Sequence, residues 1–213
     1  MKRIILLLSL CLFLFNPATL ASPQQGWIFD SSDNGITIHY REHTDGLVEI
    51  RAQMFFPTSY AAFLKLLEDT DNVPNWIDNV AHSHVVQQLS PRENIVYTQF
   101  AAPWPAQNRD MLTYSKYSLD EAGFTLQISD APETAFPRDP DYIRITQVKA
   151  LWVLNKLTND TTHIEYTAFA NPGGALPDWL VNKLAKESAR ATFEGLREQL
   201  PRFQHLRHPH ISE

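Results

Sequence analysis

The chain has 213 residues, with 18 Lys and Arg against 24 Asp and Glu, and a net charge of −6. This balance excludes the basic stripe that would neutralise a phosphate backbone, so we expect no nucleic-acid partner. A single cysteine, Cys11, excludes an intramolecular disulfide and a metal site built on several thiolates. The length suits one domain with a sizeable core.

The first 21 residues have the order of a secretory signal peptide. Lys2 and Arg3 give a positive start, residues 4–15 are almost entirely apolar, and the segment ends in the small residue Ala21. The apolar run is shorter than the roughly 20 residues that a membrane-spanning helix needs. We expect cleavage near Ala21 and a periplasmic or secreted protein; an uncleaved anchor is the alternative.

Candidate strands and turns alternate along most of the remaining chain. Strands are predicted at 27–41, 47–56, 79–89, 93–101, 109–119, 123–130, 141–154 and 161–170. A short helix capped by Thr58 or Ser59 follows the second strand segment, and one long helix closes the chain. This order predicts an α+β fold in which one curved antiparallel sheet packs on a helix.

The long closing helix has a charged side and a side of small residues. Pro177 and Asp178 suit its first turn, where a missing N–H costs little and a negative charge favours the dipole. At 100° per residue, one side carries Val181, Leu184, Ala185, Ser188, Thr192, Gly195 and Leu196. Small residues there either allow close helix-to-sheet packing or leave volume for a ligand.

The strands present sets of residues that mix apolar side chains with hydroxyls. Because side chains alternate along a strand, every second residue faces the same side. Such a mixed lining is more typical of a site for an amphipathic ligand than of a fully packed, dry core. The predicted lining residues are Thr98, Met111, Thr113, Ser115, Thr146, Val148, Trp152, Tyr166, Leu184, Ser188 and Thr192.

Two stretches, AAPWPAQNRDMLTY and NPGGALPDWLVNKLAKES, carry a resemblance to a known family. They are similar to the most recognisable motifs of START (StAR-related lipid-transfer) domains, nearest to the phosphatidylcholine transfer members, in an exported bacterial form. The similarity covers residues 27–200 and implies a helix-grip fold with a lipid-sized cavity between sheet and helix. We expect the START-like domain at 22–203 and a disordered tail at 204–213.

The motif residues are expected to be structural: Asn108, Arg109, Asp110, Gly173, Gly174, Pro177 and Trp179. The double glycine resembles the hinge before the gripping helix and lacks the Gly-Lys-Ser/Thr of a phosphate loop. Arg109 and Asp110 are neighbours on a strand and point to opposite faces, so they cannot act together on one substrate. Each is expected to be held in its own ion pair or hydrogen bond.

The head-group positions depart from those of the phosphatidylcholine-binding members. Val73 stands where they have an arginine, and Thr98, Met111 and Val148 replace three aromatics. The sequence therefore lacks both the cage for a quaternary ammonium and the partner for a phosphate. Ser115 likewise replaces the arginine of the cholesterol-binding members. These departures favour a neutral or weakly polar ligand: a fatty acid, a glycerolipid or a polycyclic lipid.

No catalytic or metal motif stands out. His82 and His84 share one strand face without a third ligand nearby in the sequence. Arg144 and Tyr166 are the inward ionisable candidates, and neither has an evident partner. We predict a monomeric carrier of a lipid or other hydrophobic small molecule, with transient membrane contact and no cofactor, metal or catalysis. The alternatives are an enzyme of the cyclase or hydrolase type using the same cavity, and an interaction module with a filled core.

Overall fold

A computed structural model describes residues 26–102, 106–157 and 160–212, so the predicted signal peptide at 1–21 lies outside the described residues. The strands are β1 Ile28–Asp33, β2 Ile36–Glu42, β3 Val48–Phe56, β4 Val80–Ser90, β5 Glu93–Phe100, β6 Arg109–Asp120, β7 Gly123–Asp130, β8 Ile143–Arg144, β9 Thr146–Lys156 and β10 Thr162–Asn171. The helices are α1 Tyr60–Glu68 and α2 Asp178–Gln199, with short 3-10 turns at Thr70–Asn75, Glu133–Ala135 and Leu200–Arg202. Neither α-helix is long and apolar enough to cross a bilayer.

The strands form one sheet in the order β1-β2-β3-β10-β9-β7-β6-β5-β4. Every pairing along this path is antiparallel, while β8 pairs in parallel with the start of β6. The curved sheet holds α2 against one face, where Phe193 stacks on Trp152 with ring centroids 5.7 Å apart. This arrangement confirms the predicted α+β helix-grip fold.

Strand alternation builds a dry core at the end of the sheet beside α1. Met54, Ile164, Leu154 and Phe124 are successive partners across β3, β10, β9 and β7, and all four are buried. Phe63 of α1 lies over this row, 5.9 Å from the ring of Phe124. Burial of these large apolar side chains supplies the main stabilisation of the fold.

The helix α1 begins where the sequence indicates. The Oγ of Ser59 accepts a hydrogen bond of 3.0 Å from the backbone N–H of Ala62, which satisfies one of the free donors of the first turn. Ser59 is thus the cap, rather than Thr58. Phe63 and Leu66 are fully buried and attach the helix to the core.

The segment predicted as one strand at 141–154 is divided in the structure. β8 pairs with β6, whereas β9 pairs with β7 and β10, and Ile145 separates them. The N–H of Ile145 donates to the carbonyl of Asp110 at 2.8 Å. Gln147 has a φ of 57°, a bulge conformation that a residue other than glycine seldom adopts. No glycine or proline marks this break, so the sequence reads as continuous.

The last residues are packed against α1. His208 is buried, and its Nε2 lies 2.8 Å from Oε1 of Glu68. Ile211 is buried as well and belongs to the main core. The sequence predicts a disordered tail at 204–213; within it, the buried His208 and Ile211 pack against the folded domain.

Candidate functional site

The inner face of the sheet, which α2 covers, has a closed end and an accessible end. Beside α1 the paired rows are buried. Two pairs further along the strands, the row formed by Ala168, Ala150, Ile128, Ser115 and Asn94 is partly exposed at every position, although α2 lies on the same face. This row is therefore less tightly packed than the rows beside α1.

Tyr166 stands at the boundary between these two ends. Its ring stacks on Trp152 with centroids 4.2 Å apart, and burial raises the pKa of its hydroxyl to about 12. The side chain nevertheless keeps part of its accessible surface. The Tyr166 side chain is therefore surrounded by protein without being packed on every side. Its hydroxyl bonds to none of the described residues, so it is available to a ligand or to water.

The N-terminal half of α2 is tied to one side of the sheet. Oδ1 of Asn182 accepts from the N–H of Val48 at 3.0 Å, and Nδ2 donates to the carbonyl of Gly46 at 2.9 Å. Lys186 pairs with Asp30 of β1 at 2.7 Å. Within the described residues, the hydrogen bonds and ion pairs from this half to the sheet all go to β1–β3 and their turns. The side toward β5 and β6 is therefore the open side of the site.

The small residues of α2 divide into two groups. A β-carbon added to Gly195 would lie 2.7 Å from the Cα of Trp76, so glycine is required for close packing there. Thr192 is 6% exposed, and its Oγ1 accepts from the N–H of Asp78 at 3.2 Å. Ser188 is only half-buried, and its hydroxyl has no partner in the described chain. Leu184, one turn earlier, is 38% exposed. Close packing therefore explains Gly195 and Thr192. It does not explain Ser188 and Leu184.

The strand residues predicted to line the site share one face, apart from Thr146. The bulge at Gln147 pairs Thr146 with Asn171, on the face of Phe169, so the prediction that Thr146 shares the inward face is wrong. The surroundings of the other residues differ. Trp152 and Tyr166 are partners between β9 and β10, and Met111 and Thr98 are partners between β6 and β5. Met111, Ser115 and Thr146 are half-buried, whereas Thr98, Thr113 and Val148 are buried. Thr98 shares a hydrogen bond of 3.1 Å with Ser83. Ligand contact by these residues remains a prediction.

Arg144 is not an inward residue. Its Nε and Nη2 donate to the two carboxylate oxygens of Asp110 at 2.7 and 2.9 Å, and both side chains are almost fully buried. The pair lies on the outer face, where the guanidinium stands 5.9 Å from the ring of Tyr97. The hydrogen bonds that Arg144 donates to Asp110 are the largest contribution that raises the pKa of Arg144. The expectation that Arg144 faces the cavity without a partner is wrong, because the strand break at Ile145 places it beside Asp110.

The two histidines of β4 lie on the outer face too. The rings of His82 and His84 are 5.2 Å apart, next to Tyr97 and Phe136. No group of three or more His, Cys, Asp or Glu side chains in the described part of the chain is placed to hold a metal ion. A second small core, formed by Ile95, Tyr97, Leu112 and Ala131, lies on this side of the sheet under the β7–β8 connection. No pattern in the sequence predicts it.

A groove of about 540 Å³ also lies on the outer face. Arg41, Glu49, Arg51 and Glu165 contribute to its walls, and Trp27 lies under the guanidinium groups of both arginines at 4.8 and 4.7 Å. These walls are charged and open to water. Such walls are unsuited to an apolar ligand.

Residues 18–208 match the family model of the START domain. The chain belongs to the START domain family. An uncharacterised protein of Pseudomonas aeruginosa is 23% identical over 181 residues, which are 81% of this chain and 86% of that protein. Human phosphatidylcholine transfer protein is 28% identical over 122 residues, 55% of this chain and 56% of that protein. The chain thus spans about half of the length of this human relative.

Solved START structures agree with the fold. A fragment of a STAR-related lipid transfer protein from Xanthomonas axonopodis superposes with a TM-score of 0.75 at 28% identity, covering 83% of this chain and 99% of that chain. Human STARD10 superposes with a TM-score of 0.75 at 21% identity, covering 84% and 74%. START domains bind and transfer lipids, and this chain is a member of that lipid-binding family.

The START motif residues occupy the junction between β6 and α2. Oδ1 of Asn108 accepts from the N–H of Ala102 at 3.0 Å. Gly173 and Gly174 have φ values of 62° and 77°, and a β-carbon on either would lie 3.0 Å from Ile143. The positive φ values favour glycine at both positions, and the role of this turn as a hinge stays a prediction. Pro177 immediately precedes α2, and Trp179, at 69% exposure, is too exposed to be a packing residue.

Proposed function

We propose that this START protein binds the apolar part of a lipid between α2 and the accessible row of the inner face, and carries it through water without altering it. The enclosed but accessible side chain of Tyr166 is the observation that supports this most. Each methylene transferred from water to an apolar container gains about 0.8 kcal/mol. A carrier therefore needs an interior of this kind.

The surroundings of Tyr166 argue against catalysis by that residue. Burial keeps its hydroxyl protonated, and no described acid or base lies within hydrogen-bonding distance of it. A general base needs a pKa near the working pH, which a pKa of about 12 does not provide. Arg144, the other candidate, is occupied by Asp110 on the far face. These observations favour a carrier over the cyclase or hydrolase alternative.

The exposed apolar residues at the start of α2 support transient contact with a membrane. Trp179 is 69% exposed and Leu184 38% exposed, both at the end of α2 that follows the Gly173–Gly174 hinge. Tryptophan favours the interface between lipid and water, where its ring is half solvated. We propose that a monomer docks with this end against the bilayer when it exchanges lipid.

The N-terminal pattern supports a periplasmic or secreted location. The charged start at Lys2 and Arg3 and the apolar segment 4–15 are what export requires. N-terminal sequencing of protein from its own host is expected to begin near Ser22. A membrane-bound product that retains Met1 would contradict the location and leave the lipid site untouched.

Native mass spectrometry of protein purified from its host, followed by lipid extraction, tests the proposed function directly. We expect a mass increment that disappears on denaturation and an extract containing a lipid that the protein leaves chemically unchanged. Incubation with the identified lipid should release no product. A protein that carries no lipid, and that displaces no fluorescent fatty acid, would contradict the proposal.

A competition assay tests the head-group prediction separately. Val73, where the phosphatidylcholine-binding members have an arginine, is buried in the 3-10 turn Thr70–Asn75, and Met111 and Val148 supply no aromatic face. Phosphatidylcholine should therefore compete no better than diacylglycerol of equal chain length. A clear preference for the choline lipid would show that these positions do not form the head-group site.

A further inference from the structure

Arg109 lies on the inner face of the sheet, at the end where α2 begins. It is the first residue of β6 and shares a face with Met111, two residues along the strand. Its strand partners, Phe100 of β5 and Ile143 of β8, are apolar. Arg109 is only 7% exposed, so its charge is held inside the protein among groups that cannot balance it.

The hydrogen bonds of Arg109 are far from complete. Its guanidinium has five N–H donors, and the described residues accept one of them: Nη1 donates to the carbonyl of Gln107 at 2.6 Å. No described carboxylate forms an ion pair with it. Burial lowers the pKa of Arg109, and no neighbouring acid offsets that effect. Arg144, by contrast, is buried to the same degree and fully paired with Asp110.

The position of Arg109 connects it to the accessible part of the inner face. A β-carbon on Gly174 would lie 3.5 Å from Nη2, so the guanidinium lies beneath the hinge turn. Along β6, the inward residues Met111 and Thr113 lead from Arg109 to Ser115 in the accessible row. Six residues of a strand span roughly 20 Å. A ligand with its polar end at Arg109 could therefore place its chain along the accessible row.

We infer that Arg109 binds the anionic head group, a carboxylate or a phosphate, of the lipid that this protein carries. The inference rests on the proposed function. It replaces the neutral or weakly polar ligand expected from the sequence by one with a net negative head group, which the zwitterionic phosphatidylcholine does not have. A planar guanidinium can donate two parallel hydrogen bonds to either anion. The ligand thereby supplies the counter-charge that the described residues do not provide.

Binding of three single-chain lipids tests this assignment: oleate, oleyl phosphate and oleyl alcohol share one chain and differ in the head group. The wild-type protein should bind at least one of the anions roughly 10- to 100-fold more tightly than the alcohol, as charge-assisted hydrogen bonds at a buried site predict. The two anions distinguish a carboxylate ligand from a phosphate ligand. Arg109→Gln should lose the preference while still binding the alcohol.

Lys149→Gln is the matched control, because it removes the same charge from the outer face of β9. It should keep the preference, and Arg109→Lys should retain part of it. An unchanged preference in Arg109→Gln, or a wild type that binds the alcohol as tightly as both anions, would overturn the inference alone. A wild type that binds none of the three lipids would instead contradict the proposed function.

A measurement on the wild type covers the case in which Arg109→Gln does not fold. Oleate labelled with ¹³C at the carboxyl group is titrated in the bound state by NMR. Beside an unpaired guanidinium the carboxyl pKa should fall below that of a free carboxylic acid. A bound carboxyl that titrates at or above its ordinary range would overturn the assignment for a carboxylate ligand, and ³¹P NMR of oleyl phosphate provides the equivalent test for phosphate.

Discussion

The two halves of α2 cover the same face of the sheet in different ways. The C-terminal half is in direct contact: Phe193 stacks on Trp152, and Gly195 lets the helix approach the backbone of Trp76. The N-terminal half is tied by Asn182 and Lys186 to β1–β3 only, and it carries the half-buried Ser188. The C-terminal half of α2 is thus part of the core, whereas the N-terminal half lies over the sheet without packing tightly on it.

A small residue on a helix does not by itself indicate a cavity. Thr192 and Ser188 are one turn apart, and both suggest free volume in the sequence. The hydroxyl of Thr192 accepts a hydrogen bond from the N–H of Asp78, whereas that of Ser188 has no partner in the part of the chain that the structure describes. The hydrogen-bond partner, and not the volume, separates a packing residue from a candidate ligand contact.

Truncating one side chain at each end of α2 tests whether the two halves are packed differently. Phe193→Ala removes a fully buried ring at the closed end, and the cavity it leaves should cost about 3–5 kcal/mol of unfolding free energy. Leu184→Ala at the open end is the control and should stay within about 0.5 kcal/mol, since Leu184 is partly solvated. Urea unfolding of both variants measures this. Equal costs would remove the distinction between the two halves.

A second comparison enlarges a residue at each end. Thr192→Phe should cost about 1–3 kcal/mol, because the ring has no space and the N–H of Asp78 loses its acceptor. Ser188→Phe should cost less than about 1 kcal/mol, but strongly weaken displacement of a fluorescent fatty acid. Thermal melting and the displacement assay are run on both variants. A Ser188→Phe protein that melts early yet binds normally would mean that the open end is packed.

Alkaline pH tests the boundary between the two ends. Because the pKa of Tyr166 is about 12 in the folded protein and 10.0 for an unperturbed tyrosine, the unfolded state releases its proton first. The contribution of Tyr166 to stability is complete below pH 10 and is lost as pH rises toward 12, by about 1.4 kcal/mol for each pH unit. Tyr166→Phe removes this dependence and keeps the stacking on Trp152.

The measurement is the unfolding free energy of wild type and Tyr166→Phe between pH 9 and 11. The wild type should lose more stability than the variant, and the gap should open only above pH 10. Parallel curves would show that the Tyr166 hydroxyl is solvated like a surface phenol. Tyr166 would then not be enclosed by the protein.

Trp179, at the start of α2, should affect the rate of lipid transfer but hardly the stability of the fold. Trp179→Ala should change the unfolding free energy by no more than about 0.5 kcal/mol, because the side chain is largely in water. Equilibrium binding should be unchanged, while the rate of lipid transfer between vesicles should fall. Glu187→Ala, an exposed change two turns along, is the control. Equal transfer rates in all three proteins would contradict membrane docking through Trp179.

Much of the fold could be predicted because its signals are local. Alternation in 47–56 and 161–170 indicates β3 and β10, and Ser59 before an apolar repeat indicates α1. The break at Ile145 could not be predicted, because it depends on a hydrogen bond to Asp110, 35 residues earlier in sequence number and adjacent only in the folded sheet. Local patterns do not contain such partners.

The sequence predicts which strand residues share a face, but it does not predict how the charged residues beside them are paired. Alternation places Tyr166, Met111 and Ser115 on one face, which the strand register confirms. The sequence cannot tell that Asp110 is paired with Arg144, whereas the adjacent Arg109 has no acidic partner among the described residues. That distinction depends on which segment covers each face of β6, and both segments come from distant parts of the chain.

The place of β10 in the sheet has a consequence for synthesis of the chain. β10 lies between β3 and β9, and its Glu165 meets Gln53 across 112 residues of sequence. Pairings of such long range close slowly, typically in milliseconds to seconds. A ribosome adding about 5–20 residues per second takes roughly 5–20 s to pass from β3 to β10. For that time β3 offers an unpaired edge to any neighbouring strand, an aggregation hazard that the finished sheet conceals.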